Sequence, residues 1–293
     1  MVGALTGADE LAGKGGGLDS RVWVILGGGA AKGLAHVGAW RAIQEAGIPV
    51  AGIIGTSTGA IIGAAVAGGR TIEDMEEHSR VLRRRDVMRV NRRVLWINGI
   101  RSPAVFRGDT LRRYIQGLLP TENWQELTIP LIVNAVDLAS GKTVWFGHES
   151  DRDVALVDAV HASAALPVLF PPVEVGGRIL VDGGVVDMLP LAKAAEMGAT
   201  RIIAIDVGAG GGADARVVVD GGLIAIHQRI FSIMASRRKR KAVRGWSGVP
   251  LTYVRPNFEE AHGFDFENRH FFLEEGYRAT REALEVPTAT SGG

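Results

Sequence analysis

The sequence predicts an α/β fold built on parallel strands. Three observations lead there. Residues 22–26 and 201–207 are dominated by unbroken apolar runs, the mark of strands covered on both faces. The first run feeds a glycine-rich loop, then a helical pattern, then another strand-like stretch, which is a β-α-β unit with parallel neighbouring strands. That second stretch, residues 48–54, turns sharply through Gly55-Thr56-Ser57-Thr58-Gly59 into the helix-like residues 60–67.

In order, strand 22–26 leads into Gly27-Gly28-Gly29-Ala30-Ala31-Lys32-Gly33 and a helix over 34–46, stopped by Gly47. The glycine loop and the serine turn are therefore expected at the same carboxyl edge of the sheet. Residues 71–120 read as a polar, largely helical insertion, with Arg107-Gly108-Asp109-Thr110 capping its last helix. Residues 131–137 and 142–146 are strands joined by Ser140-Gly141, and 158–165 is a short helix stopped by Pro167. Residues 173–175 and 178–181 form a hairpin whose second strand ends in Asp182-Gly183-Gly184. A helix at 191–197, the strand at 201–207 and a glycine loop follow. A long amphipathic helix at 219–243 carries Leu223, Ile226, Ile230, Ile233 and Met234 at helical spacing. A strand at 251–256 and a helix at 267–284 close the domain. The expected organisation is a tail at 1–20, one domain at 21–285 with the inserted basic segment 71–120, and a tail at 286–293.

Composition narrows the chemistry. The 293 residues include no cysteine, which excludes disulfides, thiolate metal sites and cysteine nucleophiles. A net charge of +1 argues against a global field for nucleic acid. The first 20 residues lack the apolar core of a signal peptide. Residues 48–69 are uncharged and long enough to span a bilayer, but Pro49, the glycines and the central Thr56-Ser57-Thr58 fit a buried strand and helix better. The expected location is cytoplasmic, with no membrane span, metal or cofactor.

A serine on a strand-to-helix turn is held out of the backbone envelope above a helix N-terminus, which favours developing negative charge. Acyl transfer needs this nucleophile, a base and oxyanion donors. The backbone N–H groups of Gly28, Gly29 and Ala30 are candidate donors. For the base, His227, His262 and His270 follow the acid in chain order, although none lies in a loop signature; His36 and His161 read as locally packed helix residues. Asp182, at a strand end before two glycines, is the other candidate, provided burial raises its basicity.

The combination resembles the patatin-like phospholipases, the bacterial ones in particular. The resemblance covers about residues 21–284 and rests on residues 26–33, on Gly55-Thr56-Ser57-Thr58-Gly59 and on Asp182-Gly183-Gly184. It is supported by 161–167, Phe170-Pro171-Pro172 and 185–190. It implies a three-layer α/β/α sandwich with a mostly parallel central sheet, and a Ser57–Asp182 dyad without histidine. Gly28, Gly29 and Ala30 would form the oxyanion hole, with Gly27, Lys32, Gly33, Gly55, Gly59, Gly183 and Gly184 supporting the motifs. Lys32 stands where the family has Arg or Lys, and would orient the loop or meet a lipid phosphate. Met188 stands where relatives often have a polar residue, and two alanines precede Lys32. The implied function is hydrolysis of fatty-acyl esters of phospholipids, lysophospholipids or related lipids through an acyl-enzyme.

Two other readings are weighed against it. An inactive, membrane-associated lipid-binding protein of the same fold is opposed by the intact Ser57 and Asp182. A nucleotide-binding protein is opposed by the absence of G-x-G-x-x-G spacing and of a ribose-binding acid at the next strand end. Two basic clusters, Arg83, Arg84, Arg85, Arg92 and Arg93 and then Arg237, Arg238, Lys239, Arg240 and Lys241, read either as solvated helix faces or as peripheral contacts to an anionic membrane.

Overall fold

The computed structural model describes residues 21–92, 96, 101–208, 214–258 and 265–285. Both expected tails, Arg93, His262 and most of the glycine loop after residue 208 lie outside the described residues.

Eight strands form one sheet: β1 (Val22–Leu26), β2 (Val50–Gly55), β3 (Leu131–Asp137), β4 (Thr143–Gly147), β5 (Val173–Val175), β6 (Arg178–Asp182), β7 (Arg201–Ile205) and β8 (Leu251–Val254). The order is β5-β6-β3-β2-β1-β7-β8, with β4 also pairing to β3. The β3-β2-β1-β7-β8 stretch is parallel, and the pairings of β3 with β4, β3 with β6 and β5 with β6 are antiparallel. The β-α-β expectation holds: β1 and β2 are parallel neighbours.

Alternating side chains feed two cores. Val22, Val24 and Leu26 of β1 join one, together with α1 (Ala35–Glu45), α2 (Thr58–Ala67) and α10 (Arg269–Glu285). Trp23 and Ile25 join the other, with α7 (Leu191–Glu196) and the partly buried Val243 and Trp246. This two-sided burial is why β1 is apolar at every position. Helices α1 and α10 cross backbone to backbone: a Cβ on Gly38 would overlap Leu273 O, and one on Gly276 would overlap Ala35 O.

Several elements differ from expectation. A 3-10 turn (Ala30–Leu34) precedes α1. Among the described residues of 71–120 the helices α3 (Ile72–Val81), α4 (Arg84–Val87) and α5 (Gly108–Leu118) are separate, and Val90 bridges to Phe106. Met75, Leu82, Met88, Phe106, Leu111 and Ile115 of this segment are buried in the first core, so its arginines cover a packed apolar layer. Asp109 does not cap α5. It lies in the first turn and pairs with the Arg107 guanidinium at 2.6 Å. Helix α6 (Leu156–Ser163) starts and ends two residues early.

The long amphipathic helix expected at 219–243 is α9 (Gly222–Arg244); a short helix, α8 (Ala215–Asp220), precedes it, and the join is made by Gly222 at φ 72°, a backbone region that favours glycine. Its apolar stripe faces solvent: Leu223, Ile230, Ile233 and Met234 are exposed. Lys239, expected among the exposed cations, is buried and ion-paired with Asp206.

The crossing of α1 and α10 generates a prediction. Gly38→Val should cost at least about 1–3 kcal/mol through overpacking, read as a lowered midpoint in urea unfolding.

Candidate active site

The site is assembled where strands end. Along β3, the last residue of β2, Gly55, lies opposite Val133, and the last residue of β6, Asp182, lies opposite Ala135. The carboxyl ends of these two strands therefore meet, although Ser57 and Asp182 are far apart in sequence.

Ser57 occupies the turn between β2 and α2 with φ 57° and ψ −124°. Such a conformation costs a non-glycine residue about 1–3 kcal/mol. Its N–H donates to Ser163 Oγ at 2.9 Å, and the N–H of Thr56 donates to Leu26 O at 3.0 Å. The glycines around it permit the turn. A Cβ on Gly55 would sit 2.5 Å from Ala60 Cα, and one on Gly59 would overlap Leu26 O.

The glycine loop lies beside the serine, as expected. Gly27 N–H extends the sheet to Ile205 O at 3.1 Å. A Cβ added to Gly28 would sit 3.0 Å from Ser57 Cβ and 2.7 Å from Met188 Sδ, and Gly33 abuts the Thr58 side chain. The Thr58 hydroxyl donates to Ala30 O at 3.1 Å, tying elbow to loop. Among the described residues, no carbonyl accepts a hydrogen bond from the N–H of Gly28, Gly29, Ala30 or Thr58. Lys32 is buried, its ammonium 5.4 Å from the Phe258 ring centroid, and burial lowers its pKa.

Asp182 is fully buried. Its Oδ1 accepts from Gly184 N–H at 2.7 Å, while Oδ2 has no partner of ordinary hydrogen-bond geometry. Burial without a cation raises its pKa to about 7; the nearby Ser57 hydroxyl and the Gly184 N–H oppose the rise. A Cβ on Gly183 would overlap the Asn134 side chain, and Asn134 Nδ2 donates to Asp187 O at 3.0 Å. Met188 bridges the two loops, packing against both Gly28 and Gly184.

No described histidine hydrogen-bonds to Ser57 or Asp182. His36 Nε2 donates to Gly27 O at 2.7 Å, which leaves Nδ1 without its proton, and burial lowers its pKa to about 4. His161 is buried beside Gly108, Arg112 and Asp158. His227 lies along α9 next to Gln228, and His270 is exposed near the start of α10.

Sequence reasoning gave no role to Ser163, Asn134 or Asp206. Ser163 stands in a stretch already quoted for the resemblance, and its signal would have been a buried hydroxyl on an apolar helix. Asp206, after β7, pairs with Lys239 and accepts from Tyr253 Oη at 2.7 Å and Gly208 N–H at 3.0 Å.

A narrow cavity of about 80 Å³ opens on Ser57 and is lined by Ala30, Ile61, Ile62, Met88, Leu111 and Phe170 among others. A larger open groove of about 600 Å³ on α10 is lined by Glu275, Arg278, Arg281 and Glu282 and holds none of the site residues. Among the described residues, no three His, Asp or Glu side chains gather as a metal site.

A family model described as patatin-like phospholipase matches residues 24–195, a span that contains the glycine loop, the elbow and Asp182. The chain is 34% identical over 187 residues to an uncharacterized NTE family protein of Mycobacterium tuberculosis, covering 64% of this chain and 49% of that protein. It is 33% identical over 188 residues to patatin-like phospholipase domain-containing protein 6 of Homo sapiens, covering 63% of this chain and 13% of that protein. The chain thus spans about half or less of the length of these curated relatives. VipD from Legionella pneumophila shares the fold, with a TM-score of 0.51 at 16% identity over 92% of this chain and 67% of that chain.

Asp182 makes stability depend on pH. Its pKa in the fold lies above the ordinary value of 3.8, so the folded state holds the extra proton. That contribution is complete below about pH 4 and is lost as pH rises through about 7. Asp182→Asn should therefore melt at a higher temperature than the parent at pH 8, with the difference vanishing toward pH 4. Ser57→Gly should also melt higher, through relief of the strained φ.

Proposed function

The chain belongs to the patatin-like phospholipase family, and on that premise we propose that it is a serine hydrolase of lipid acyl esters. The observation that carries the reading is a strained serine set against a buried carboxyl whose pKa lies near 7. A base with that pKa is matched to proton transfer at neutral pH.

In the proposed reaction, ionised Asp182 takes the Ser57 hydroxyl proton as Oγ attacks the ester carbonyl. The tetrahedral oxyanion is met by N–H groups of Gly28, Gly29 and Ala30, with Thr58 N–H at the start of α2 as a further donor. One such donor is worth about 10²–10³ in rate. Collapse breaks the C–O bond, and protonated Asp182 returns its proton to the leaving alkoxide. Water then attacks the acyl-Ser57 ester with Asp182 again as base, and the fatty acid leaves. Phospholipids and lysophospholipids are the proposed substrate class. The cavity on Ser57 is the proposed acyl site, because Ile61, Ile62, Met88, Leu111 and Phe170 give it an apolar lining. An inactive lipid-binding protein would need the cavity but neither the strained serine nor the uncompensated carboxyl.

Contact with an anionic membrane is part of this reading. Arg83, Arg84, Arg85 and Arg92 are exposed on the segment whose Leu82, Val87 and Met88 line the cavity.

Steady-state hydrolysis of acyl esters tests the chemistry. Ser57→Ala and Asp182→Asn should each lose about 10³-fold or more in kcat, while His227→Ala, His262→Ala and His270→Ala stay near the parent. A folded, inactive histidine variant would restore a triad. For the parent, kcat/KM should rise with pH and level off above about 7, because only ionised Asp182 accepts the proton. Ile62→Trp, which fills the cavity, should depress hydrolysis of long-chain esters more than that of butyrate esters; an equal loss on both would contradict the assignment of the acyl pocket.

A further inference from the structure

Helix α9 presents an apolar face to water. At about 100° per residue, Leu223, Ile226, Ile230, Ile233 and Met234 fall within roughly a 100° arc, and Arg237, Lys241 and Arg244 continue that arc toward the C-terminus. The helix's buried residues, Ala235 and Lys239, lie on the opposite side. Leu223 is 80% exposed and Ile230 and Met234 are each 52% exposed. The neighbouring helix α8 adds Val217 at 64% and Val219 at 62%. A contiguous apolar surface of this kind on a soluble face marks an interaction site.

The seat of α9 is the catalytic edge of the sheet. Buried Lys239 pairs with Asp206, just beyond β7, and the Arg238 guanidinium donates to Gly184 O at 3.4 Å, next to Asp182. Val243 and Trp246 pack on the second core. Toward its N-terminus no residue from 222 to 234 is fully buried, and residues 225–229 are half-buried.

Charge selects the occupant. Helix α9 contains no acidic residue, and three cations share the apolar arc. A second copy packed on this face across a two-fold axis would bury these cations against one another or against the partner's apolar residues, with no acidic residue of the helix to meet them. An anionic bilayer satisfies both halves of the face: apolar side chains enter the acyl boundary while arginine and lysine meet the headgroups. We propose that α8 and α9 form an in-plane docking element that seats this protein on an anionic lipid surface with the glycine and acid loops beside it. The purpose of the docking rests on the lipid-hydrolase reading; its measurement does not.

Co-sedimentation of the full chain with phosphatidylcholine vesicles, with and without phosphatidylserine, tests the proposal. The parent should bind the serine-containing vesicles, and added salt should weaken binding. The triple variant Leu223→Asp, Ile230→Asp, Met234→Asp should bind at least about tenfold less. It should keep the parent's melting temperature and its hydrolysis of soluble butyrate esters. The variant Arg237→Gln, Lys241→Gln, Arg244→Gln should lose the preference for phosphatidylserine. Ser57→Ala should bind as the parent does, so docking is read without turnover. Parent-like binding by the folded Asp variant, no binding by the parent, or a parental dimer that the Asp variant converts to monomer would each overturn the proposal.

Discussion

The arrangement depends on one backbone contact. Gly59, in the first turn of α2, rests on Leu26 O, the last carbonyl of β1, with no room for a side chain between them. That approach brings the turn on β2 and the loop on β1 to one edge, where Thr58 Oγ1 reaches Ala30 O and Gly28 lies against Ser57. Ser163, from a helix far along the chain, holds the Ser57 backbone in its left-handed conformation through the Ser57 N–H. The elbow is strained locally and held by partners from three separate elements, as expected where a site stores strain.

Two buried aspartates show how the same fold treats a carboxyl in opposite ways. Asp206 has Lys239, the Tyr253 hydroxyl and the Gly208 N–H around it. Asp182 has one backbone donor, the nearby serine and no cation. Compensation makes the first a brace between the sheet and α9. The lack of it leaves the second with a pKa near 7, which costs stability at neutral pH and supplies basicity where the serine stands. Buried ionisable groups pushed this far without an ion-pair partner are more common at functional sites than in structural networks.

Much of this was legible in the chain. The apolar run of β1, the glycine loop and the G-x-S-x-G turn are local patterns, and local sterics alone place them at one sheet edge. Asp182 was legible as a carboxylate at a strand end; its low-dielectric setting was not, because that depends on β6 running antiparallel along β3 to meet the end of β2. The outward facing of the stripe on α9 was not legible, for a related reason. Periodicity identifies an apolar face but not which side meets the core, and here one buried ion pair, Lys239 with Asp206, turns that face outward. The start of α9 is visible as Gly221-Gly222, yet two glycines in a helical pattern do not by themselves specify a positive φ.

In the proposed dyad Ser57 is activated by Asp182 and not by a histidine. Covalent labelling of the parent protein by an alkyl fluorophosphonate, followed by peptide mass spectrometry, measures that activation without a substrate assumption. A single adduct is expected on the Ser57 peptide, formed more slowly as pH falls below about 7 and strongly slowed by Asp182→Asn. An adduct on another residue, or labelling of Ser57 at an unchanged rate in Asp182→Asn, would contradict the dyad.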